Sequence, residues 1–398
     1  MKNYMKENGD KMFINYKNWE PLLLVLFLPL SWAASFAVSI YRWIILLLFA
    51  YYLIKYRFKI KIDILSKTLT LSLVIFVIYV VLSLFWGTEL NEGFTSVFGF
   101  ILIVMVSIIF SSYGSGAVIQ DNKLDQVWIM VGIISGILFV FGDRAKIGEY
   151  GSRTSLRILG TSTDPNEFAG LFVISSAICI YHIINSKGIK KYISIIAFAL
   201  GIYSVLLSGS RGAMISCAIS IIMTVFFCTK VSFKKIITFL IISIIGVLFF
   251  MKYLIPLVPV DVIERLDLSM LLKDGGSGRS VLWKSGLDQY FGGNVFRIIF
   301  GYGANGLLVV GERGTTTTMH NYYLQVLINF GIVGLILYLT LLWNIFKRYW
   351  KYNRKYACAL FSMAVLSVTL TTTPNYKPLW ILMMMAFIPS NILTDKNG

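Results

Sequence analysis

The chain has 398 residues, of which 57% are hydrophobic and only 14% are charged. Soluble domains are about 45–50% apolar and about 25% charged, so this composition indicates a polytopic membrane protein. The net charge of +17 does not indicate a nucleic-acid partner. The lysines lie in short clusters between apolar runs, as topology signals do.

Windows of about 20 apolar residues predict twelve spans, and hence an all-α polytopic transmembrane helical bundle. We expect residues 1–398 to form a single integral membrane domain, with residues 1–20 as a cytoplasmic tail. The first two spans are short enough to form a tilted hairpin. The predicted spans are 21–39, 41–55, 68–86, 94–112, 124–142, 165–184, 192–208, 212–228, 235–252, 319–345, 357–373 and 377–393.

The distribution of basic residues predicts the orientation. With the N-terminus inside, 22 basic residues lie on the cytoplasmic side and 14 on the outer side. This satisfies the positive-inside rule and places both termini in the cytoplasm. Two long loops, 143–164 and 253–318, then face outward.

The kind of basic residue also differs between the two sides. The inner side has 19 lysines and 3 arginines, whereas the outer side has 5 lysines and 9 arginines. Because arginine presents a planar set of donors that binds phosphate in bidentate fashion, the outer arginines predict an anionic ligand. Solvated loop charge, or pairing with lipid headgroups, is the alternative.

One outer motif is Thr-Ser-Thr-Asp-Pro-Asn-Glu, residues 161–167. Asp164 suits the N-cap of a helix, Pro165 suits its first position, and Glu167 would complete a capping box. That structural role alone could explain the motif. The functional interpretation is that the cap directs Asn166 and the helix N-terminus into an outer cavity.

A second motif, Leu-Ser-Gly-Ser-Arg-Gly at residues 207–212, joins two predicted spans by a tight turn. Gly209 and Gly212 allow close approach of backbones. A charge at the membrane edge is costly unless it is paired or solvated. Arg211 is therefore either a phosphate ligand at a helix N-terminus or an arginine that extends to the headgroups.

A third motif runs from Gly275 to Trp283, where glycines give way to a helical pattern. Its apolar positions predict an amphipathic helix at the outer interface, with Ser277 as a candidate cap. Arg279 would lie in the first turn, where backbone N–H groups also attract anions. The alternative is an ordinary surface arginine.

The fourth motif is His320-Asn321, at the start of an apolar run. Thr318 is a plausible N-cap, which would place His320 in the first turn of the helix. From the spacing alone, His320 is either a polar residue at a helix end or a catalytic base. His182, the second histidine, lies near the inner end of its predicted span and is a weaker candidate.

Several common catalytic signatures are absent from the sequence. There is no Asp-x-Asp pair for a divalent metal on a nucleotide sugar, and no Walker A, HExxH or GxSxG motif. We therefore expect neither a metal site nor a cofactor.

The ordered set DPNEFAG, LSGSRGA, GRSVLWK, GYGANG and HNYYLQVLINFGIVG, within residues 150–345, resembles the O-antigen ligase and polymerase superfamily, which includes Wzy-type polymerases. The resemblance implies a metal-independent glycosyltransferase of GT-C type. It would have about 12 spans and a large periplasmic or extracellular loop carrying short amphipathic helices. It would lie in the bacterial cytoplasmic (inner) membrane, with its active site facing the periplasmic or extracellular side.

The resemblance also implies roles for particular residues. Arg211, Arg279 and His320 match the family's catalytic positions, with the arginines stabilising a departing pyrophosphate and the histidine as general base. Arg153 and Arg157 align only loosely with the family's early arginines. The candidate substrate-binding residues are Arg153, Arg157, Asn166, Asn321 and Tyr322.

The sequence therefore favours a polymerase of O-antigen or capsular repeat units that uses an undecaprenyl-pyrophosphate-linked glycan as donor and inverts the anomeric centre. The nearest alternative is an O-antigen ligase, with lipid A core as acceptor. A lipid-linked glycan transporter (flippase) and a non-catalytic scaffold are alternatives from other classes. The predicted partners are lipid-linked glycans, the bilayer and a chain-length regulator.

Overall fold

A computed structural model describes residues 19–35, 38–58, 67–112, 122–147, 153–229, 252, 279–306, 309–310, 316–370 and 376–389. Helices dominate these residues. The first eight helices are α1 Glu20–Leu26, α2 Ile40–Lys55, α3 Lys67–Leu82, α4 Leu90–Ser111, α5 Asn122–Phe141, α6 Pro165–Asn185, α7 Ile189–Leu207 and α8 Arg211–Cys228.

Of the remaining helices, two precede His320 and three follow it. They are α9 Arg279–Phe291, α10 Val295–Phe300, α11 Tyr322–Tyr352, α12 Arg354–Leu366 and α13 Lys377–Met384. The strands, all short, are β1 Ala34–Ser35, β2 Val38–Ser39, β3 Arg144–Ile147, β4 Arg153–Ile158, β5 Thr161–Ser162, β6 Val309–Val310 and β7 Thr316–Thr317.

Seven of the described helices are long and apolar enough to cross a membrane: Lys67–Trp86, Leu90–Ser111, Lys123–Phe141, Pro165–Asn185, Ile189–Leu207, Arg211–Cys228 and Tyr322–Tyr352. They coincide with seven of the twelve predicted spans. The predicted span 235–252 lies outside the described residues, except for its last residue. Four other predicted spans contain shorter helices, so the total of twelve stays a prediction.

The predicted first span, 21–39, is not one continuous helix. After α1, a 3₁₀ helix with a proline in its first turn covers Leu28–Trp32, and β1 pairs antiparallel with β2 before α2 begins. Proline removes a backbone donor and interrupts an α-helix. Residues 20–55 therefore turn back on themselves as the expected hairpin. Its two ends meet where Lys55 Nζ lies 2.7 Å from Glu20 Oε1.

The predicted loop 143–164 contains a small antiparallel sheet of β3, β4 and β5. Arg144 pairs with Leu156 and Ile147 with Arg153. The described residues are mostly helical, as the predicted all-α bundle requires, but this loop contains strands that were not predicted. The sheet leads directly into the N-terminus of α6.

Helix α6 is the central element of the bundle. In its most apolar window 78% of the residues are buried, compared with 28% in α8. It packs against α5, α7, α8 and α12. Because α6 is packed on several sides, the residues of its first turn, Asn166 and Glu167, have fixed positions.

Helix α11 is longer than its predicted span 319–345, because it continues to Tyr352. The residues between the predicted spans 319–345 and 357–373 are therefore mostly helical, and Asn353 separates α11 from α12. Lysines in the last turns of a helix interact favourably with the helix dipole. Lys347 and Lys351 lie over the rings of Trp343 and Tyr352, which helps to explain why the helix continues.

A buried polar cluster joins α5, α6 and α12 at the end of the bundle opposite the start of α6. Asp125 Oδ2 lies 2.7 Å from His182 Nε2 and 2.9 Å from Lys355 Nζ, and Tyr356 donates to Asp125 Oδ1 at 2.8 Å. His182 thus serves as a partner of Asp125, far along α6 from the predicted outer motifs.

Candidate active site

The first turn of α6 forms as its sequence predicts, with one difference. Asp164 is the N-cap and accepts hydrogen bonds from the backbone N–H groups of Asn166 and Glu167, at 2.8 and 3.1 Å. Glu167 does not complete a capping box. Its carboxylate instead accepts a 2.9 Å hydrogen bond from Trp32 Nε1, which ties α6 to the 3₁₀ helix that precedes α2.

The turn between α7 and α8 lies directly against this cap. Ser210 is the N-cap of α8 and accepts from Ala213 N at 3.3 Å. Its hydroxyl also donates to Asn166 Oδ1 at 2.8 Å. Arg211 follows as the first residue of α8 and is half-buried. Two motifs separated by more than forty positions therefore meet through their capping residues.

The segment after α12 connects these two turns to the start of α11. A Cβ added at Gly212 would overlap the side chain of Thr369, so the α8 backbone lies close to that residue. Ser367 O accepts the backbone N–H of Tyr322 at 2.8 Å. The Tyr376 hydroxyl donates to Glu167 O. Tyr376, Thr369 and Ser367 thus contact the first turns of α6, α8 and α11 respectively, and we call this the site end of the bundle.

His320 lies just before α11 and not in its first turn. The N-cap is Asn321, which accepts from Tyr323 N and Leu324 N at 3.1 and 3.2 Å; the prediction of Thr318 as N-cap is wrong. The backbone of His320 has a φ of +48°. Such a conformation costs a non-glycine residue on the order of 1–2 kcal/mol, and residues of this kind cluster at functional sites.

A series of side-chain amides fixes the backbone before His320. Gln325 Oε1 accepts from Met319 N at 3.0 Å, and Gln325 Nε2 donates to Asn329 Oδ1 at 3.0 Å. Neither residue was predicted from the sequence to have a role. The signal was present, because two buried amides four positions apart in an apolar span lie on one helical face and need partners.

The Gly-Tyr-Gly motif at 301–303 docks against a kink in α11. Gly331 interrupts the helix with a φ of +66°. The carbonyls of Ile328 and Asn329 are then free to accept from Tyr302 N and Gly303 N at 3.0 and 2.9 Å. The glycine-rich loop thus completes the backbone hydrogen bonding of a broken membrane helix.

Helix α9 packs against the segment that carries His320. Trp283 Nε1 donates to Met319 O at 2.9 Å, and Gly286 lies so close to Met319 that a Cβ would overlap it. Arg279, half-buried, lies one helical turn from Trp283, about 6 Å along the helix axis. The predicted motif that contains Arg279 is therefore next to the one that contains His320. Ser277, its predicted cap, lies outside the described residues.

A small second core holds α9 in place. It consists of Leu282, Tyr290, Val309, Met319 and Ile328, all buried. Burial, together with nearby Tyr302, raises the pKa of Tyr290 to about 12, so its hydroxyl stays protonated and donates to Ile298 O. The predicted apolar face of α9 is thus buried against protein, whereas Phe291 at its end is exposed.

The five predicted substrate-binding residues differ in their accessibility. Asn166 and Asn321 are buried and hold helix caps. Tyr322 is fully buried and accepts from Trp380 Nε1 at 3.0 Å, so its ring has no exposed face on which a sugar could stack. Arg157 is exposed, 3.9 Å from Asp143. Arg153 is the first residue of β4.

Charges of both signs lie at the site end, because Asp164 caps α6 and Glu167 lies in its first turn. The N-termini of α6, α8 and α11 lie together there, and each helix N-terminus carries about half a positive charge. Arg211 is in the first turn of one of these helices. A guanidinium beside a helix N-terminus is an arrangement that suits a phosphate group, and at the site end Arg211 with the start of α8 provides it.

The described residues form a polytopic helical membrane protein in which the first turns of α6, α8 and α11 lie at one end. Residues 196–339 match the family model described as O-antigen ligase. The resemblance to the O-antigen ligase and polymerase superfamily is therefore confirmed over that segment. The match contains Arg211, Arg279 and His320 and begins after the Asp164 motif. No curated protein matches the chain.

Proposed function

We propose that the protein is a membrane glycosyltransferase that polymerises lipid-linked repeat units of an O-antigen or capsule. The observation that carries this proposal is the meeting of the His320 segment with the α8 N-terminus. Ser367 and Thr369, two residues apart, contact Tyr322 and Gly212 respectively. The candidate base, His320, and the candidate phosphate-binding residue, Arg211, therefore lie beside elements that contact the same short stretch after α12.

The proposed donor is a glycan on undecaprenyl pyrophosphate. A hydroxyl of the acceptor attacks the anomeric carbon, and the bond from that carbon to the pyrophosphate oxygen breaks. His320 accepts the hydroxyl proton as the new glycosidic bond forms. Undecaprenyl pyrophosphate leaves with the bonding electron pair. Attack opposite the leaving group inverts the anomeric centre.

The leaving pyrophosphate gains negative charge in the transition state, and Arg211 and Arg279 are the proposed groups that stabilise it. Fixed donors aimed at developing charge are worth about 3–4 kcal/mol each in enzymes where one has been removed. The α8 N-terminus adds a further positive potential. Both arginines are half-buried, which limits screening by water.

The buried amides have a positioning role in this proposal. Asn166 holds the α8 cap through Ser210, and Asn321 caps α11 beside His320. Arg153 and Arg157 are proposed contacts for the glycan, because they belong to the sheet that leads into α6. Tyr322 is better assigned to packing, since it is fully buried.

An O-antigen ligase is the second candidate, and the description of the matching family favours it. The donor chemistry is the same in both reactions, but the acceptor of a ligase is lipid A core. We further propose that the site faces the outer side of the cytoplasmic membrane, with both termini inside, and that a chain-length regulator is a partner of the polymerase.

The test is an assay of glycan transfer in proteoliposomes that contain purified lipid-linked repeat unit, with or without lipid A core. A polymerase produces a ladder from repeat unit alone, whereas a ligase produces single transfers that require the core. Both activities should fall to background in His320→Ala and Arg211→Ala at normal expression. Movement of the donor across the bilayer without any transfer would contradict the proposal and favour a transporter.

A further inference from the structure

Two of the four cysteines face each other where α8 packs against α12. Cys228 is the last residue of α8, and Cys358 lies in the second turn of α12. Their Sγ atoms are 3.8 Å apart, and both thiols are in the reduced form. Cys228 is about 25 Å along the helix axis from Arg211 at the start of α8. The pair therefore lies far from the site end and has no part in the proposed transfer.

The contact between the two thiols is set by the packing of two helices, because α8 and α12 pack directly against each other. At the site end, Gly212 lies against Thr369, which follows α12. At the opposite end, the guanidinium of Arg354 donates to Phe227 O at 3.4 Å, and the rings of Phe227 and Trp350 have their centres 5.0 Å apart. These contacts hold the cysteine pair together from both sides.

The distance between the two sulfur atoms is short enough for a covalent bond to form. A disulfide bond is about 2.05 Å long, so the sulfur atoms would have to approach each other by about 1.8 Å. Rotation about the Cα–Cβ bonds moves sulfur atoms by distances of this order. The other two cysteines, Cys179 and Cys217, are buried in the bundle and serve as internal references.

The two thiols of the pair differ in their accessibility. Cys228 is partly exposed, whereas Cys358 is buried. A reagent from solution therefore meets Cys228 first. Cys358 is then in position to attack the modified Cys228 from inside the protein, as the second cysteine of a redox-active pair does.

We propose that Cys228 and Cys358 form a reversible disulfide that fastens α8 to α12 when a low-molecular-weight disulfide, such as oxidised glutathione, is abundant. The thiolate of Cys228 attacks one sulfur of the reagent, which forms a mixed disulfide and releases one reduced thiol. The thiolate of Cys358 then attacks Cys228 Sγ and releases the second reduced thiol. In total the two cysteines lose two electrons and two protons, and the reagent gains them.

The link encloses the part of the chain that carries the candidate base. Residues 229–357 contain Arg279, His320 and the whole of α11. A disulfide that closes a long loop stabilises a protein mainly by constraining its unfolded state. In the orientation proposed above, the pair faces the cytoplasm, where disulfides are usually transient and redox-sensing. Formation of the link depends neither on that orientation nor on glycan transfer.

The test counts free thiols in the full chain, purified in detergent. The folded protein is exposed to oxidised glutathione, denatured without reductant and alkylated, and its intact mass gives the number of alkylated cysteines. We expect all four cysteines to be alkylated before oxidation and about half of them afterwards, since the pair is then linked. Peptide mapping should find Cys228 joined to Cys358, and dithiothreitol should reverse the link. The oxidised chain should also unfold at a higher temperature than the reduced chain.

Single variants separate the two steps of the reaction. Cys358→Ser removes the thiol that closes the disulfide, so this variant should retain one glutathione on Cys228. Cys228→Ser should stay unmodified, because Cys358 is buried. Cys217→Ser, a buried position on the same helix, is the matched control and should form the link to the same extent as the wild type.

Alkylation of all four cysteines after oxidation of the folded wild-type chain would overturn the proposal. A link between other cysteines, or between two chains, would overturn it as well. A linked chain that unfolds at the same temperature as the reduced chain would contradict the fastening of α8 to α12. Because no glycan substrate is present, these outcomes are independent of whether the protein is a glycosyltransferase.

Discussion

Ser210 donates a hydrogen bond to Asn166 across 2.8 Å, and each residue belongs to the N-terminal cap of a different membrane helix. This bond fixes the α8 N-terminus, and with it Arg211, against the central helix of the bundle. The position of Arg211, the proposed phosphate-binding residue, therefore depends on a neutral serine and a buried amide.

Removing the Ser210 hydroxyl should reduce transfer more than it reduces stability. Ser210→Ala loses an N-cap, worth about 1 kcal/mol, together with the bond to Asn166. We expect transfer to fall by about tenfold or more because Arg211 is no longer held. Ser220→Ala is the matched control, since Ser220 is buried on the same helix and bonds only weakly to Val173 O. Equal activity of the two variants would count against a positioning role for Ser210.

A side chain at Gly212 should separate α8 from the segment after α12. Gly212→Ala would place its Cβ against Thr369, and overpacking of this kind costs about 1–3 kcal/mol. Thr369→Ala removes the overlapping hydroxyl and methyl groups, so the double variant should recover part of the lost stability and transfer. Heating followed by size-exclusion chromatography measures the stability. Strict additivity of the two substitutions would contradict the proposed contact.

Gln325→Met should disorder the segment before His320 while the membrane helices remain folded. The substitution leaves Met319 N–H without its partner, which costs about 1–3 kcal/mol. We expect loss of transfer and faster proteolysis between α9 and α11. Adding Asn329→Leu should cause little further loss, because both residues belong to one hydrogen-bonded series. Wild-type transfer by Gln325→Met would show that this series does not position His320.

The cluster around Asp125 should be structural and not catalytic. Asp125→Asn removes the charge opposite buried Lys355, and an unpaired buried charge costs about 3–5 kcal/mol. The variant should unfold at a clearly lower temperature, while the protein that remains folded keeps its specific activity. Lys355→Met in addition should restore stability. Selective loss of transfer at unchanged stability would instead place this opposite end of the bundle in the mechanism.

Local sequence rules succeeded where local interactions decide the structure. Asp164 was predicted as a helix N-cap with Pro165 at the first position, and this prediction is confirmed because caps depend on a few neighbouring residues. The same rules failed at Thr318, since Asn321 is the better capping residue and accepts two backbone N–H groups.

Other features depend on contacts that no local pattern contains. Glu167 bonds to Trp32 and not to its own helix cap, and Gly301 packs against Gly331 in the kink of α11. The small sheet at 144–162 was not predicted. A window of about 20 residues detects apolar spans and does not detect short polar strands. The sequence order of the motifs suggested a shared site, but only tertiary contacts bring the motifs together.

The most direct test of the proposed mechanism is transfer by His320→Asn in proteoliposomes. Asparagine is among the residues that best tolerate a positive φ, so this variant should keep the backbone at position 320, thermal stability and donor binding. It has no basic ring nitrogen, and general-base catalysis contributes about 10²–10⁴-fold. We predict a loss of transfer within that range. Transfer at the wild-type rate by folded, donor-binding His320→Asn would contradict the role of His320 as the base.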